Sequence, residues 1–385
     1  MVVQFILQDL GQGQNIRMHA TGHSVTYEFD ASPSFHSNDS RFFYFATRDG
    51  IRFISSNGVV DWSETLSLNR PIMVTRGDFV AVGEHSGGRR IYVFNSSGFV
   101  YHVDFDHPVV MFSINATGFL AAVVQYSTGY GIYVYNQQSP TVYLHRNPIH
   151  DSLTIPTAVE ISEDGRYIVT AILDLNVRLT STVIFRYFNE RDSLAWDLGT
   201  EGLFSSEIFS DQTVKSMRFM ENNKLVVVTT SQIACFQIIS RDHAVSTQRE
   251  VWSIDLKNNL SHIAFYGNRY IAYITGDRHP GEADADPVGM VRIRNVNNTE
   301  VGYFNLGRRA THLSMGHGAV LVGADRNFHA VNFNGNHIWE HNALHDTRDV
   351  LFLDNTDTIL IAGLNRAEVH ERRRTRNNEL ENIFD

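Results

Sequence analysis

The sequence holds one cysteine, Cys235, and three lysines, Lys215, Lys224 and Lys257, and it has no apolar run of membrane-spanning length. A lone thiol excludes an internal disulfide framework and cannot supply a cysteine-based zinc site. Membrane insertion is not expected, because a spanning helix needs about 20 consecutive apolar residues. The opening run Val2–Leu7 is too short for a secretory leader core and has no basic region before it. A reducing, cytoplasmic setting is therefore the expectation, with a component of a larger assembly or virion as the alternative. Equally absent is any window of about twelve residues with a 3.6-residue apolar period and matching caps, so no substantial helix is expected.

Charge is short on one side as well. The formal net charge is −10, and 29 of the 32 basic residues are arginine. Nucleic-acid binding needs clustered positive charge to neutralise phosphates. The only basic cluster is Arg372-Arg373-Arg374, read as part of a charged tail spanning 372–385. No nucleic-acid partner is expected.

What remains is ample core material, with 43% apolar and 19% charged residues in 385, laid out as a repeat. One cadence recurs: an extended segment, a turn, an apolar run, a second turn, an amphipathic strand, then Gly or Asn before a fourth strand. Its clearest copy starts at Pro71 and runs through Phe79-Val80-Ala81-Val82 and Ile91-Tyr92-Val93-Phe94 to Phe105. The next opens at Pro108 and repeats it with Phe119-Leu120-Ala121-Ala122-Val123-Val124 and Gly131-Ile132-Tyr133-Val134, then Thr141-Val142-Tyr143-Leu144. Weaker copies span Thr157–Trp196, Val214–Leu256, Ser261–Leu306 and Ala310–Trp339, with one ahead from about Val25 to Leu66. A period of roughly 35–50 residues is that of a propeller blade.

The second strand of each unit is apolar at nearly every position, so both of its faces must be covered. Helices being absent, the cover must be other sheets, and a propeller presses each blade between two neighbours. Val350–Val369 supplies three strands of a last blade, and Val2–Leu7 is the expected fourth, an N-terminal strand closing the ring and removing its edges. The expectation is an all-β chain with a single closed β-propeller over residues 1–371, of about eight four-stranded blades, or seven if two weak copies share one sheet. Turn dipeptides agree: Asp49-Gly50, Asn57-Gly58, Ser97-Gly98, Asp164-Gly165 and Asn334-Gly335 all fall between strand candidates.

The cadence resembles the WD40-like and quinoprotein-like β-propeller superfamilies from about residue 25 to 371, and the two strong copies resemble an uncharacterised bacterial propeller family. Similar to quinoprotein-type repeats, a Gly or Asn turn precedes a late-strand Trp in Gly58-Val59-Val60-Asp61-Trp62 and Gly335-Asn336-His337-Ile338-Trp339, with echoes at Trp196 and Trp252. The resemblance implies that Trp62, Trp196, Trp252 and Trp339 dock one blade onto the next, and a large aromatic wedged between sheets suits that role. Only Trp196-Asp197 matches the WD dipeptide, and adjacent cysteines of the quinoprotein cofactor site are missing, so no quinone is expected.

For chemistry, there is no Gly-x-Ser-x-Gly elbow, no phosphate-binding Walker loop and no His-Glu-x-x-His helix. The insertion Gly276–Gly289 brings Glu282, Asp284 and Asp286 together at two-residue spacing, beside His279. Such oxygen-rich loops suit Ca2+, and these three carboxylates are the candidate metal ligands, although mobile acidic loops are commonly just solvated. Histidine clusters at His145 and His150-Asp151, and at His337, His341 and His345, offer acid-base or metal chemistry but read as polar surface. No catalytic set and no cofactor are expected. The function that follows is a non-enzymatic scaffold for protein-protein interaction. The alternatives are a small-ligand or metal-dependent enzyme using the axial funnel and a structural subunit of a cell-surface or viral assembly. Partners are other proteins or assembly subunits.

Overall fold

The computed structural model describes residues 16–28, 33–37, 42–84, 87–127, 129–137, 145–147, 153–176, 178–188, 202–241, 244–258, 260–276 and 287–374. It contains eight four-stranded antiparallel sheets, each an up-and-down meander, arranged as the blades of a propeller. In chain order, the described strands of blade 1 lie within 34–65, blade 2 within 71–104, blade 3 within 109–147 and blade 4 within 154–210. Blade 5 lies within 214–255, blade 6 within 260–305 and blade 7 within 312–342. Blade 8 joins three strands within 349–374 to the N-terminal strand Ile16–Thr26. Besides strands and turns, the described residues show one 3-10 turn, Glu221–Asn223. No described helix is long and apolar enough to cross a membrane.

The all-apolar second strands are buried as expected. Phe43–Ala46, Val80–Val82, Leu120–Val124 and Leu225–Val228 are each at most 3% exposed. Eight hydrophobic clusters account for the core, and each pools side chains from two adjacent blades. Tyr44, Ile51 and Phe53 of blade 1 meet Val80, Val82 and Phe94 of blade 2. Phe35, Phe43 and Phe45 of blade 1 meet Leu360 and Val369 of blade 8, which closes the circle. A blade alone would leave both faces in water, so the ring is stabilised as a unit.

Closure is achieved by an N-terminal strand, but not along the expected residues. Ile16–Thr26 pairs antiparallel with Arg366–Arg374, Ile16 opposite Arg374 and Thr26 opposite Arg366, with an irregularity between Ala20 and Ser24. Val2–Leu7 lies outside the described residues. Val25 accordingly belongs to the closing strand, and blade 1 begins at Ser34. The reason is one of signal: the closing strand is an outer one, and over 18–26, where burial is described, Met18 alone belongs to the core. The final strand also carries Arg372 into the sheet, where its Nη1 donates to Asp357 Oδ1 at 3.2 Å. Thr141–Leu144, expected as a fourth strand, lies outside the described residues, and His145–Asn147 fills that place in blade 3. In blade 4 the described fourth strand is Leu203–Ser210.

Pro71 is the first residue of its strand, where a missing amide donor costs little. Pro156 stands beside a register shift between it and Ala158, and bulges are where a strand tolerates proline.

Candidate functional site

The first strand of each blade is the innermost. First strands contact one another around the ring, 71–76 against 34–37 and 109–114, and 349–352 against 312–316 and 34–37. Their last residues carry a buried polar cluster. Arg76 of blade 2 is 6% exposed, and its Nε donates to Glu163 of blade 4 while its Nη2 donates to the Phe219 carbonyl of blade 5. One guanidinium thus ties three blades and reaches over part of the central channel. Ser113 of blade 3 donates to Glu160 of blade 4, and Ala116 donates its backbone N–H to Glu163 Oε2 at 2.8 Å. His36 Nε2 and Thr75 Oγ1 are 2.6 Å apart.

Burial sets the protonation of this cluster. It pushes the Glu160 carboxyl up against the opposing pull of Arg76 and Arg218. It lowers Arg218 to about 10, with Arg76 adding repulsion. His36 falls to about 4, through burial first and Arg218 second, so its imidazole is neutral at pH 7. Arginines and glutamates pair with each other here, and Arg218 lies 5.7 Å from the centre of the Phe265 ring. Such a set locks blades together across the ring.

The opposite end of the ring differs in character. It is the end carrying the inter-blade loops and the turns between second and third strands. Three clefts open there, side by side over blades 8, 1 and 2. The largest, about 660 Å³, is lined among others by Tyr27, Leu344, His345, Asp346, Leu364 and His370. Thr26 and Tyr27 are shared with the second, about 290 Å³, beneath Arg48 and Glu64 of blade 1. The third, about 300 Å³, lies between Leu68, Glu84 and Arg90. Tyr27 is fixed by donating its hydroxyl to the Gly363 carbonyl at 2.9 Å and by packing on Phe35 and Phe45. Leu344 is 83% exposed and Leu364 42%.

Among the sequence candidates, Trp62, Trp252 and Trp339 stand on fourth strands, and each indole N–H reaches into the following blade. The acceptors are the carbonyls of Ser96 at 3.0 Å, Val296 at 2.9 Å and Thr356 at 2.7 Å. Trp196, and the candidate metal ligands Glu282, Asp284 and Asp286 with His279, lie outside the described residues, as do His150 and Asp151. The residues around that acidic segment connect Tyr270–Thr275 and Met290–Asn295 of blade 6.

The structure does not bring His337, His341 and His345 together. His345 lines the large cleft, whereas His341 packs against His370 with ring centres 5.1 Å apart. His337 meets two residues that the sequence pattern did not single out. Among the described residues, one group of three side chains able to hold a metal stands out: His329, His337 and Glu340, with ligand atoms all within 4.8 Å. A bulge explains why reading by alternation misses it. His329 faces Glu340 across the strand pair, but the register slips between Ala330 and Val331 and leaves Ile338 unpaired. That extra residue turns His337 onto the face of Glu340, three positions away, which strict alternation would forbid.

A family model described as a family of unknown function (DUF5711) matches residues 37–369. No curated protein matches the chain. Solved structures share the fold at low identity. BamB from Moraxella catarrhalis aligns with a TM-score of 0.54 at 12% identity, over 92% of this chain and 97% of that one. The Cps50 (Swd1) β-propeller domain of Myceliophteria thermophila aligns with a TM-score of 0.51 at 10% identity, over 92% and 99%. The expected kinship with WD40-like and quinoprotein-like propellers is thus met at the level of fold.

Proposed function

Taking as premise that the chain belongs to the DUF5711 family of unknown function, we propose that it is a non-enzymatic scaffold that docks another protein on the loop-bearing face. The observation that carries this reading is the row of three clefts over blades 8, 1 and 2, with Leu344 and Leu364 exposed beside the largest. Rigid strands hold loops whose apolar side chains stand next to polar walls, an arrangement suited to anchoring partner side chains in pockets with a polar rim. The fold itself is one that propellers of many kinds use for docking, which is a likeness of architecture and not of partner.

The net charge of −10 favours a basic or polar partner surface, and rim charges would make association weaken with salt. The test is affinity capture with the wild-type chain and with Leu344→Glu/Leu364→Glu. A defined partner bound by the wild type and lost with the paired variant supports the reading, provided that Val60→Glu on the outer strand of blade 1 keeps it. Equal capture by all three proteins would overturn the loop face as the docking site.

A further inference from the structure

We propose that His329, His337 and Glu340 form a binding site for a divalent transition-metal ion of the Zn2+ class on the outer strands of blade 7. Two imidazole nitrogens and a carboxylate oxygen are the donor set that zinc accepts, whereas Ca2+ and Mg2+ call for oxygen alone. The spacing agrees with that chemistry. His329 Nδ1 and His337 Nε2 stand 3.4 Å apart. Two donors each about 2.05 Å from a tetrahedral ion lie about 3.3 Å from one another. The two nitrogens therefore already sit at one edge of a coordination tetrahedron.

Surrounding contacts hold the donors in place. Asn327 donates from Nδ2 to Glu340 Oε1 at 2.6 Å, an outer partner that orients the carboxylate. Phe304 of blade 6 lies against both imidazoles, with ring centres 5.6 Å from His329 and 6.4 Å from His337. When both facing nitrogens ligate, each ring carries its proton on the far nitrogen. Three protein donors leave a fourth position, and with His337 and Glu340 exposed that position opens to solvent, where water or a partner's side chain completes the shell.

The experiment is calorimetric titration of the metal-free full chain with ZnCl2, paralleled by visible absorption with CoCl2. One ion per chain is expected, with the intense absorption of four-coordinate cobalt. His337→Ala, an exposed position with little bearing on folding, is expected to weaken binding at least tenfold, and Glu340→Gln to weaken it measurably. His102→Ala, at an exposed position on the outer strand of blade 2, is the control and is expected to bind as the wild type does. No stoichiometric binding, a six-coordinate cobalt spectrum, or an affinity unchanged in His337→Ala would each overturn the site.

Discussion

Trp252 donates its indole N–H to the backbone carbonyl of Val296, 2.9 Å away and in the next blade. Trp62 and Trp339 make the same kind of link forward, to Ser96 and Thr356, so three of the eight seams share one device. Trp252→Phe keeps an aromatic ring and removes the bond, and is expected to cost about 1 kcal/mol. Trp339→Ala, at a site only 4% exposed, is expected to cost about 3–5 kcal/mol. Urea denaturation of the three proteins measures both values and their order.

The guanidinium of Arg76 ties blades 2, 4 and 5 at the axis. Arg76→Met removes the buried member of an ion pair whose other member, Glu163, is partly exposed, with the buried Glu160 nearby. Losing one member of a fully buried pair costs about 3–5 kcal/mol, and with Glu163 partly exposed the loss should approach the lower end, seen as a fall in melting temperature. Arg90→Met, which breaks an exposed pair with Asp104, should leave the melting temperature nearly unchanged. Equal effects from the two substitutions would refute the axial lock.

Gly302 sits where two blades touch backbone to backbone. A Cβ there would lie 2.4 Å from both the Phe333 carbonyl oxygen and the Asn334 carbonyl carbon. Across the same seam, a Cβ on Gly335, whose φ is +82°, would lie 2.0 Å from the Tyr303 oxygen. Gly302→Ala must push the blades apart, at a cost of about 1–3 kcal/mol. Because Phe304 stands two residues on, the same change should also weaken metal binding at His329 and His337, readable by calorimetry on the folded variant.

Acid should destabilise the ring through its buried histidines. Burial, reinforced by His370 and His19, lowers His341 from 6.5 to about 4, while in the unfolded chain it titrates near its ordinary value. Between those values the unfolded state binds more protons, so the contribution is complete above about pH 6.5 and is lost as pH falls toward 4. His36, also at about 4, acts in the same sense. Melting curves from pH 7 to 4.5 should show a falling midpoint, and His341→Gln should make the fall shallower.

Residues buried on both faces were legible from sequence, and residues half in water were not. Phe43–Ala46 and Leu120–Val124 announce second strands because continuous apolarity has no other use in a chain without helices. Ile16–Thr26 announces nothing, since an outer strand needs apolar groups on one side at most, and His19, His23 and Ser24 interrupt any apolar run. The eight-blade count followed from the first kind of signal, and the misplaced closing strand from the second. The histidine pair of blade 7 was hidden for a different reason. A bulge is a backbone event, and Ile338 carries no mark that it will drop out of register. Trp62 and Trp339 were visible because each stands four residues after a turn glycine, whereas Trp252, deep in the long strand Ala244–Asp255, gave only a looser echo.

Pairing the first described strand with the last imposes an order on how the molecule is made. Thr21 donates its hydroxyl to the Val369 carbonyl, 348 residues later. At about 5–20 residues per second, a ribosome needs about 20–70 s to cover that distance. Throughout translation the early strand must wait without its mate. Its polar makeup, which concealed it from pattern reading, keeps a waiting segment from aggregating until the final blade emerges to receive it.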